Sequence, residues 1–154
     1  MLSKWKKIYR AQPGVFPKDG IDYLLLKGEY DILNIMHLEW FSYKGVEYDC
    51  VYRCIYKQIF PELVIINATP RHRLINLKLW KKYFNMNPNE IAKILIDILI
   101  EKAKQINEFR KLLLKTNVME LMQPGMEDTF FTMYNLYGKC LMRARWKLFE
   151  IYDE

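Results

Sequence analysis

The hydrophobic and polar positions between residues 87 and 116 form the longest regular pattern in the chain. One face at helical spacing is apolar and comprises Ile91, Ile94, Leu95, Ile98 and Leu99, and a second apolar line is formed by Ile96 and Ile100. Charged residues form a narrow stripe on the other side: Lys93, Asp97, Glu101, Lys104 and Glu108. Asn87 suits an N-cap, and Pro88 suits the first helical position, where an N–H would have no partner. We therefore expect a central helix that bends near residues 106–107 and continues to Thr116.

Weaker patterns on both sides of this segment predict a small sheet. Residues 1–20 form a basic arm with two prolines and two glycines, which favour turns, and with a short strand near residues 7–9. Alternating apolar and polar positions predict further strands at 22–26, 37–43, 46–48 and 118–122. Lys44 and Gly45 supply the turn between the two middle strands, whereas residues 28–36 fit no single element.

Capping signals predict three more helices. Asp49 is the expected N-cap of a helix that reaches Phe60 and ends before a proline. Thr69 opens a second helix over residues 70–84. The last helix spans 135–152, with an inner side made of Leu136, Cys140, Leu141, Ala144, Leu148 and Ile151. Together these elements predict one α+β domain over residues 1–154, in which a small, mainly N-terminal sheet is covered by helices around the central one.

Composition narrows the class of protein and its partners. The chain of 154 residues is 51% hydrophobic and 15% aromatic, enough for a substantial core and unlike a disordered chain. The net charge of +6 permits an anionic partner, but the cations are scattered, so any nucleic-acid binding is expected to be weak. Charged residues interrupt the apolar run at 91–100, which is too short to span a bilayer, and we expect no membrane partner.

The three cysteines, Cys50, Cys54 and Cys140, give no sign of a disulfide or a metal site. The first two are spaced as neighbours on a helix, and no second cysteine pair or histidine cluster completes a zinc site. We therefore expect neither a metal nor a cofactor. The odd count and the lack of a recognisable signal peptide predict a reduced, cytoplasmic protein.

Short motifs in residues 28–148 point to one family. They are Leu33-Asn34-Ile35, Gly45, Tyr48, Cys50, Lys102, Phe109-Arg110, residues 112–114, Thr116, Asn135, Tyr137-Gly138, Leu141-Met142 and Arg145. In this order they resemble the NADAR superfamily of YbiA-like N-glycosidases, which act on N-ribosyl compounds, including ADP-ribosylated guanine. The resemblance implies a NADAR-like α+β fold, in which Arg145 holds the last helix in place.

The departures from this family fall on the positions that carry its chemistry. Tyr52, Tyr56 and Ile59 stand where its E-H-x-x-Q-A-x-K motif has glutamate, glutamine and lysine, and Gln123 replaces a later glutamate. Cleaving an N-glycosidic bond needs a carboxylate to manage protons and often a lysine amine to attack or anchor the sugar. The resemblance therefore implies a catalytically degenerate protein, with Asp128 as the best surviving polar match.

Ligand-binding candidates follow from the same resemblance. An open pocket would be lined by Asn34, Tyr52, Tyr56, Asp128, Phe131 and Asn135, and would stack a base and hold a ribose. The two bulky tyrosines favour the alternative, in which they fill the pocket and the function lies on the surface. At the predicted start of helix 70–84, Arg71 and Arg73 are the candidates for binding a phosphate.

These observations predict a non-enzymatic accessory protein of a bacteriophage that acts in the host cytoplasm. Its expected partner is a nucleotide, an ADP-ribose-like ligand or a host protein. One alternative is an active N-glycosidase with relocated groups, which needs a second carboxylate near Asp128, from Glu29, Glu47 or Glu127. The other is a basic nucleic-acid or protein-interaction module, which would show a contiguous face of lysines and arginines.

Overall fold

The computed structural model describes residues 15–18, 21–59, 88–123 and 135–152, and it shows an α+β protein. The strands are β1 (Val15–Lys18), β2 (Ile21–Leu25), β3 (Phe41–Tyr43), β4 (Val46–Tyr48) and β5 (Glu120–Met122). The helices are α1 (Val51–Ile59), α2 (Pro88–Gln105), α3 (Asn107–Lys115) and α4 (Leu136–Ile151), with a 3-10 helix at Gly28–Leu33. None of the described helices has the length and apolar character needed to cross a membrane.

The strands form two separate small sheets. In the first, β2 lies in the middle and pairs antiparallel with β1 and parallel with β5. The second is the predicted hairpin of β3 and β4. Its turn residues, Lys44 and Gly45, have φ angles of 50° and 80°, and this left-handed pair matches the twist of a two-residue hairpin.

The predicted central helix is confirmed, including its bend. It begins at Pro88 and ends at Gln105, and Ile106 then takes an extended conformation before α3 begins. Of the predicted inner face, Ile91, Leu95, Ile98 and Leu99 are buried, and Ile94 is partly buried. Since α2 packs against α1, α3, α4 and β3, it connects the helices with the hairpin.

Several predicted strand boundaries were wrong. The arm contains a strand, β1, because an edge strand tolerates Pro17, whose missing N–H is needed only inside a sheet. Of residues 37–43, only Phe41–Tyr43 form a strand. The last strand begins at Glu120 because the left-handed Asn117, with φ 52°, first completes a turn after α3. The predicted strand at 7–9 and helix at 70–84 lie outside the described residues.

Two predictions about helix ends were also wrong. Asp49 does not cap α1; the Cys50 thiol accepts the Arg53 N–H at 3.5 Å, while the Asp49 carboxylate accepts from the Arg53 guanidinium at 2.8 Å. Ile151 is not part of the inner side of α4, since it is 52% exposed and the last buried residue of that helix is Leu148.

Candidate functional site

Asn34 and Gln123, which occupy motif positions of the resemblance, meet in one hydrogen-bond network. The Gln123 Oε1 accepts from the Ile35 N–H, and its Nε2 donates to the Asn34 Oδ1, both at 3.0 Å. Asn34 also accepts from the Met36 N–H at 2.8 Å and donates to the Leu26 carbonyl at 2.9 Å. The two amides thereby fix the end of the 3-10 helix to the end of β5.

This network gives a physical reason for glutamine at position 123. Its side chain is 2% exposed and uses both a donor and an acceptor. An ionised glutamate could only accept hydrogen bonds, so its second oxygen would face the Asn34 Oδ1, which is also an acceptor, and its charge would be buried. Gln123 is therefore suited to holding the fold together rather than to acid–base chemistry.

Tyr52, Tyr56 and Ile59 all lie on the buried face of α1. The two tyrosine rings are 5.7 Å apart, and each of the three side chains is at most 3% exposed. Burial raises the pKa of the Tyr52 hydroxyl well above its usual range, so it stays protonated near neutral pH. These residues are part of the core, and the described face of α1 that holds them carries no carboxylate and no amine.

Asn135 and Gly138 let α4 lie close against β5. The Asn135 amide donates to the Leu121 carbonyl at 2.7 Å, and its backbone is left-handed, with φ 55°. A Cβ atom at Gly138 would collide with that same carbonyl and with the Asn135 amide. Both residues therefore serve the packing of α4, and only glycine fits at position 138 without a shift.

Arg145 also holds α4, as predicted. Its guanidinium donates to the Thr116 hydroxyl at 2.9 Å and to the Met119 carbonyl at 2.8 Å, both in the connection between α3 and β5. In the first turn of the same helix, the Tyr137 hydroxyl donates to the Leu33 carbonyl at 2.7 Å. The motif residues of the last helix thus join it to the 3-10 helix and to β5.

Lys102 is a buried cation that the sequence reasoning did not select as a site. It has no exposed surface, and its Nζ lies 4.7 Å from the centre of the Phe109 ring and 5.5 Å from that of Phe41. It makes no hydrogen bond or ion pair within the described part of the chain. Burial lowers its pKa to about 8, against an opposing effect of the nearby Glu39 carboxylate.

The position of Lys102 on α2 was a usable signal. It follows Ile98 by four residues and Leu99 by three, so helical spacing places it on the buried face and off the polar stripe. Glu39 adds a second unusual group, since its Oε1 is buried and has no hydrogen-bond partner among the described residues.

An open cleft of ≈ 390 Å³ lies beside the hairpin and was not predicted. It is lined by Trp40, Val46, Glu47, Tyr48, Asp49, Arg53 and Lys57. The Trp40 side chain is 67% exposed, although it is large and apolar. The cleft combines an accessible aromatic surface with cations and carboxylates, so it can contact a flat ring and a charged group together.

The described cysteines and acidic residues form no reactive or metal-binding centre. All three cysteines are free and buried, and burial raises the pKa of Cys50 to about 11 and of Cys140 to about 12. Thiols with such values are poor nucleophiles at neutral pH. Across the described ranges, no group of three His, Cys, Asp or Glu side chains is placed to hold a metal ion.

The remaining candidates lie outside the described residues: Arg71, Arg73, Asp128 and Phe131. Their roles in ligand and phosphate binding stay predictions. No family model, curated protein or solved structure matches this chain. The resemblance to NADAR proteins thus depends on the sequence motifs alone.

Proposed function

We propose that this protein is a catalytically degenerate, NADAR-like binding protein that takes a nucleotide-like ligand on its surface. The observation that carries the proposal is the complete burial of Tyr52 and Tyr56 in the core. These residues and Ile59 stand where the family's motif has groups that do chemistry, and here they pack against one another. An inward-facing sugar pocket on α1 is therefore disfavoured, and a site elsewhere is favoured.

The cleft beside the hairpin is the best-supported location for the ligand. Its volume of ≈ 390 Å³ suits a small molecule, because ligand pockets commonly measure about 300–1,000 Å³. The exposed Trp40 indole can stack on a base, and Lys57 can attract a phosphate, whereas the charge of Arg53 is balanced by Asp49. Glu47 lines the same cleft, is exposed, and can accept hydrogen bonds from ribose hydroxyls.

Replacing Trp40 should weaken ligand binding about tenfold, since stacking of one base on an aromatic side chain contributes about 1–3 kcal/mol. Isothermal titration calorimetry with ADP-ribose, NAD and pyrimidine nucleotides would measure the affinity of the wild type and of Trp40→Ala. Trp146→Ala is the matched control, because that indole is also 67% exposed but lies on α4. The location is wrong if the two variants lose affinity equally, and the proposal fails if the wild type binds none of these ligands.

The protein should not cleave N-glycosidic bonds. We expect no release of base or ADP-ribose when it is incubated with an ADP-ribosylated guanine oligonucleotide or with ribosylamino-pyrimidine phosphates. Chromatography of the reaction products would measure this, with heat-inactivated protein as the control. Release that depends on the folded protein would contradict the proposal of a degenerate site.

One observation favours the second candidate, an N-glycosidase with relocated groups. Lys102 is an amine without a described partner, and the Glu39 carboxylate lies close enough to influence its pKa. An amine and a carboxylate are the two groups that such a reaction needs. If release is seen, Lys102→Met and Glu39→Gln should each abolish it in this second candidate. Since Lys102 has no exposed surface, a substrate would reach it only after the site opens.

A further inference from the structure

We infer that the outer face of α4 is a binding surface for single-stranded nucleic acid. Lys139, Arg143 and Lys147 are spaced four residues apart on this helix, and all three are exposed. A helix rises 1.5 Å per residue, so successive cations lie about 6 Å apart along its axis. They form a row that runs along one side of the helix, which suits the regularly spaced charges of a nucleic-acid backbone.

The charges of this row are available to a partner. Lys139, Arg143 and Lys147 make no hydrogen bond or ion pair with any residue that the structure describes. Glu150 is also exposed and, by helical spacing, lies on the same side, near the end of α4. Three cations against one carboxylate leave the face positive, which favours an anionic partner.

Trp146 decides which anionic partner fits best. Its indole is 67% exposed and, by helical spacing, borders the row of cations. An aromatic side chain beside a cationic track is the arrangement by which proteins stack unpaired bases while they hold the backbone. The bases of a duplex are already stacked and paired, so they offer this indole no free face.

A membrane surface fits the same face less well. An interfacial helix needs a broad apolar stripe that it can bury among the lipids. On α4 that stripe is Leu141, Ala144 and Leu148, and it is buried in the protein core. Trp146 and Ile151 are the large apolar residues of α4 that are exposed, which is too little apolar surface for an interfacial helix.

Fluorescence anisotropy with a labelled oligo-dT strand tests the inference on the full chain. Saturable binding is expected at low salt, and its affinity should fall as salt rises. The triple variant Lys139→Gln, Arg143→Gln, Lys147→Gln should flatten the plot of log K against log salt by about 2, because each phosphate contact to a single strand contributes about 0.7. Trp146→Ala should weaken binding about tenfold and leave the slope unchanged.

A matched control separates this face from general charge. Lys111→Gln with Lys115→Gln removes two exposed cations, also four residues apart, from α3. This variant should keep most of the affinity, and circular dichroism would verify that every variant is folded.

Three results would overturn the inference. The first is the absence of saturable oligo-dT binding, and Trp146-dependent binding of anionic phosphatidylserine vesicles would then assign the face to a membrane. The others are equal losses in the α3 control and the α4 triple variant, and duplex binding as tight as single-strand binding. The site is independent of the proposed ligand cleft, so the failure of one proposal leaves the other standing.

Discussion

Ile98→Asp is expected to unfold this protein. Ile98 lies in the middle of α2 and has no exposed surface, and α2 packs against three helices and β3. The substitution would bury a carboxylate among apolar side chains. The buried Lys102 amine, four residues later, can offset part of this cost by forming an ion pair, but it does not restore the lost packing of Ile98. The cost is on the order of several kcal/mol, a large part of the 5–15 kcal/mol or so by which a typical domain is stable.

Lys93→Asp is the matched control, because it introduces the same residue on the exposed side of the same helix. It should change the free energy of unfolding by no more than about 0.5 kcal/mol. Circular dichroism during thermal and urea denaturation would measure both variants. If Ile98→Asp melts at the same temperature as the control, α2 is not the central element of the core.

The parts of the fold that depend on local signals could be predicted from the sequence. Pro88 fixes the start of α2, and the apolar spacing of the following turns identifies its buried face. Lys44 and Gly45 predicted the hairpin from a local signal as well. A two-residue turn needs left-handed φ angles, which glycine readily adopts. In both cases the physical cause acts within a few residues of chain.

Features that depend on distant residues could not be predicted in this way. The strand β1 is stable because it pairs with β2, and that pairing outweighs the turn signal of Pro17. Trp40 and Lys57 line the same cleft because the hairpin packs against α1. Spacing did indicate that Lys102 faces inward, but its charge argued against burial, and only the packing of Phe41 and Phe109 around the amine resolves the conflict.

The candidate site shows a different limit of prediction from sequence motifs. The motif resemblance selected Asn34, Gln123 and Asn135, and the structure places all three in hydrogen bonds that join neighbouring elements. An amide that satisfies a backbone group and an amide that contacts a ligand are identical in sequence. Their roles are separated by what lies within hydrogen-bond distance, and this is decided by the fold as a whole.

Lys102 carries the second large prediction, because its amine is charged near neutral pH and buried. Its pKa is about 8 in the folded protein, against 10.5 for an ordinary lysine. Below pH 8 the folded and the unfolded protein both keep the amine protonated, and the folded protein bears the full cost of burying that charge. Between these two values the unfolded state binds a proton that the folded state does not, so this group makes stability rise with pH. The difference between the two pKa values corresponds to about 3 kcal/mol in the free energy of unfolding.

Lys102→Met should therefore stabilise the protein at pH 7, by up to about 3 kcal/mol, since methionine fills a similar volume without a charge. The buried Cys50 and Cys140 oppose this trend above pH 9, because the unfolded state then loses thiol protons that the folded state keeps. The informative quantity is therefore the difference in the free energy of unfolding between Lys102→Met and the wild type. Urea denaturation from pH 7 to 10.5 would measure it. The advantage of Lys102→Met should stay nearly constant up to about pH 8 and then shrink up to about pH 10.5, whereas the exposed control Lys93→Met should differ little from the wild type at any pH. A Lys102→Met variant that is less stable than the wild type at pH 7 would mean that the amine has a stabilising partner.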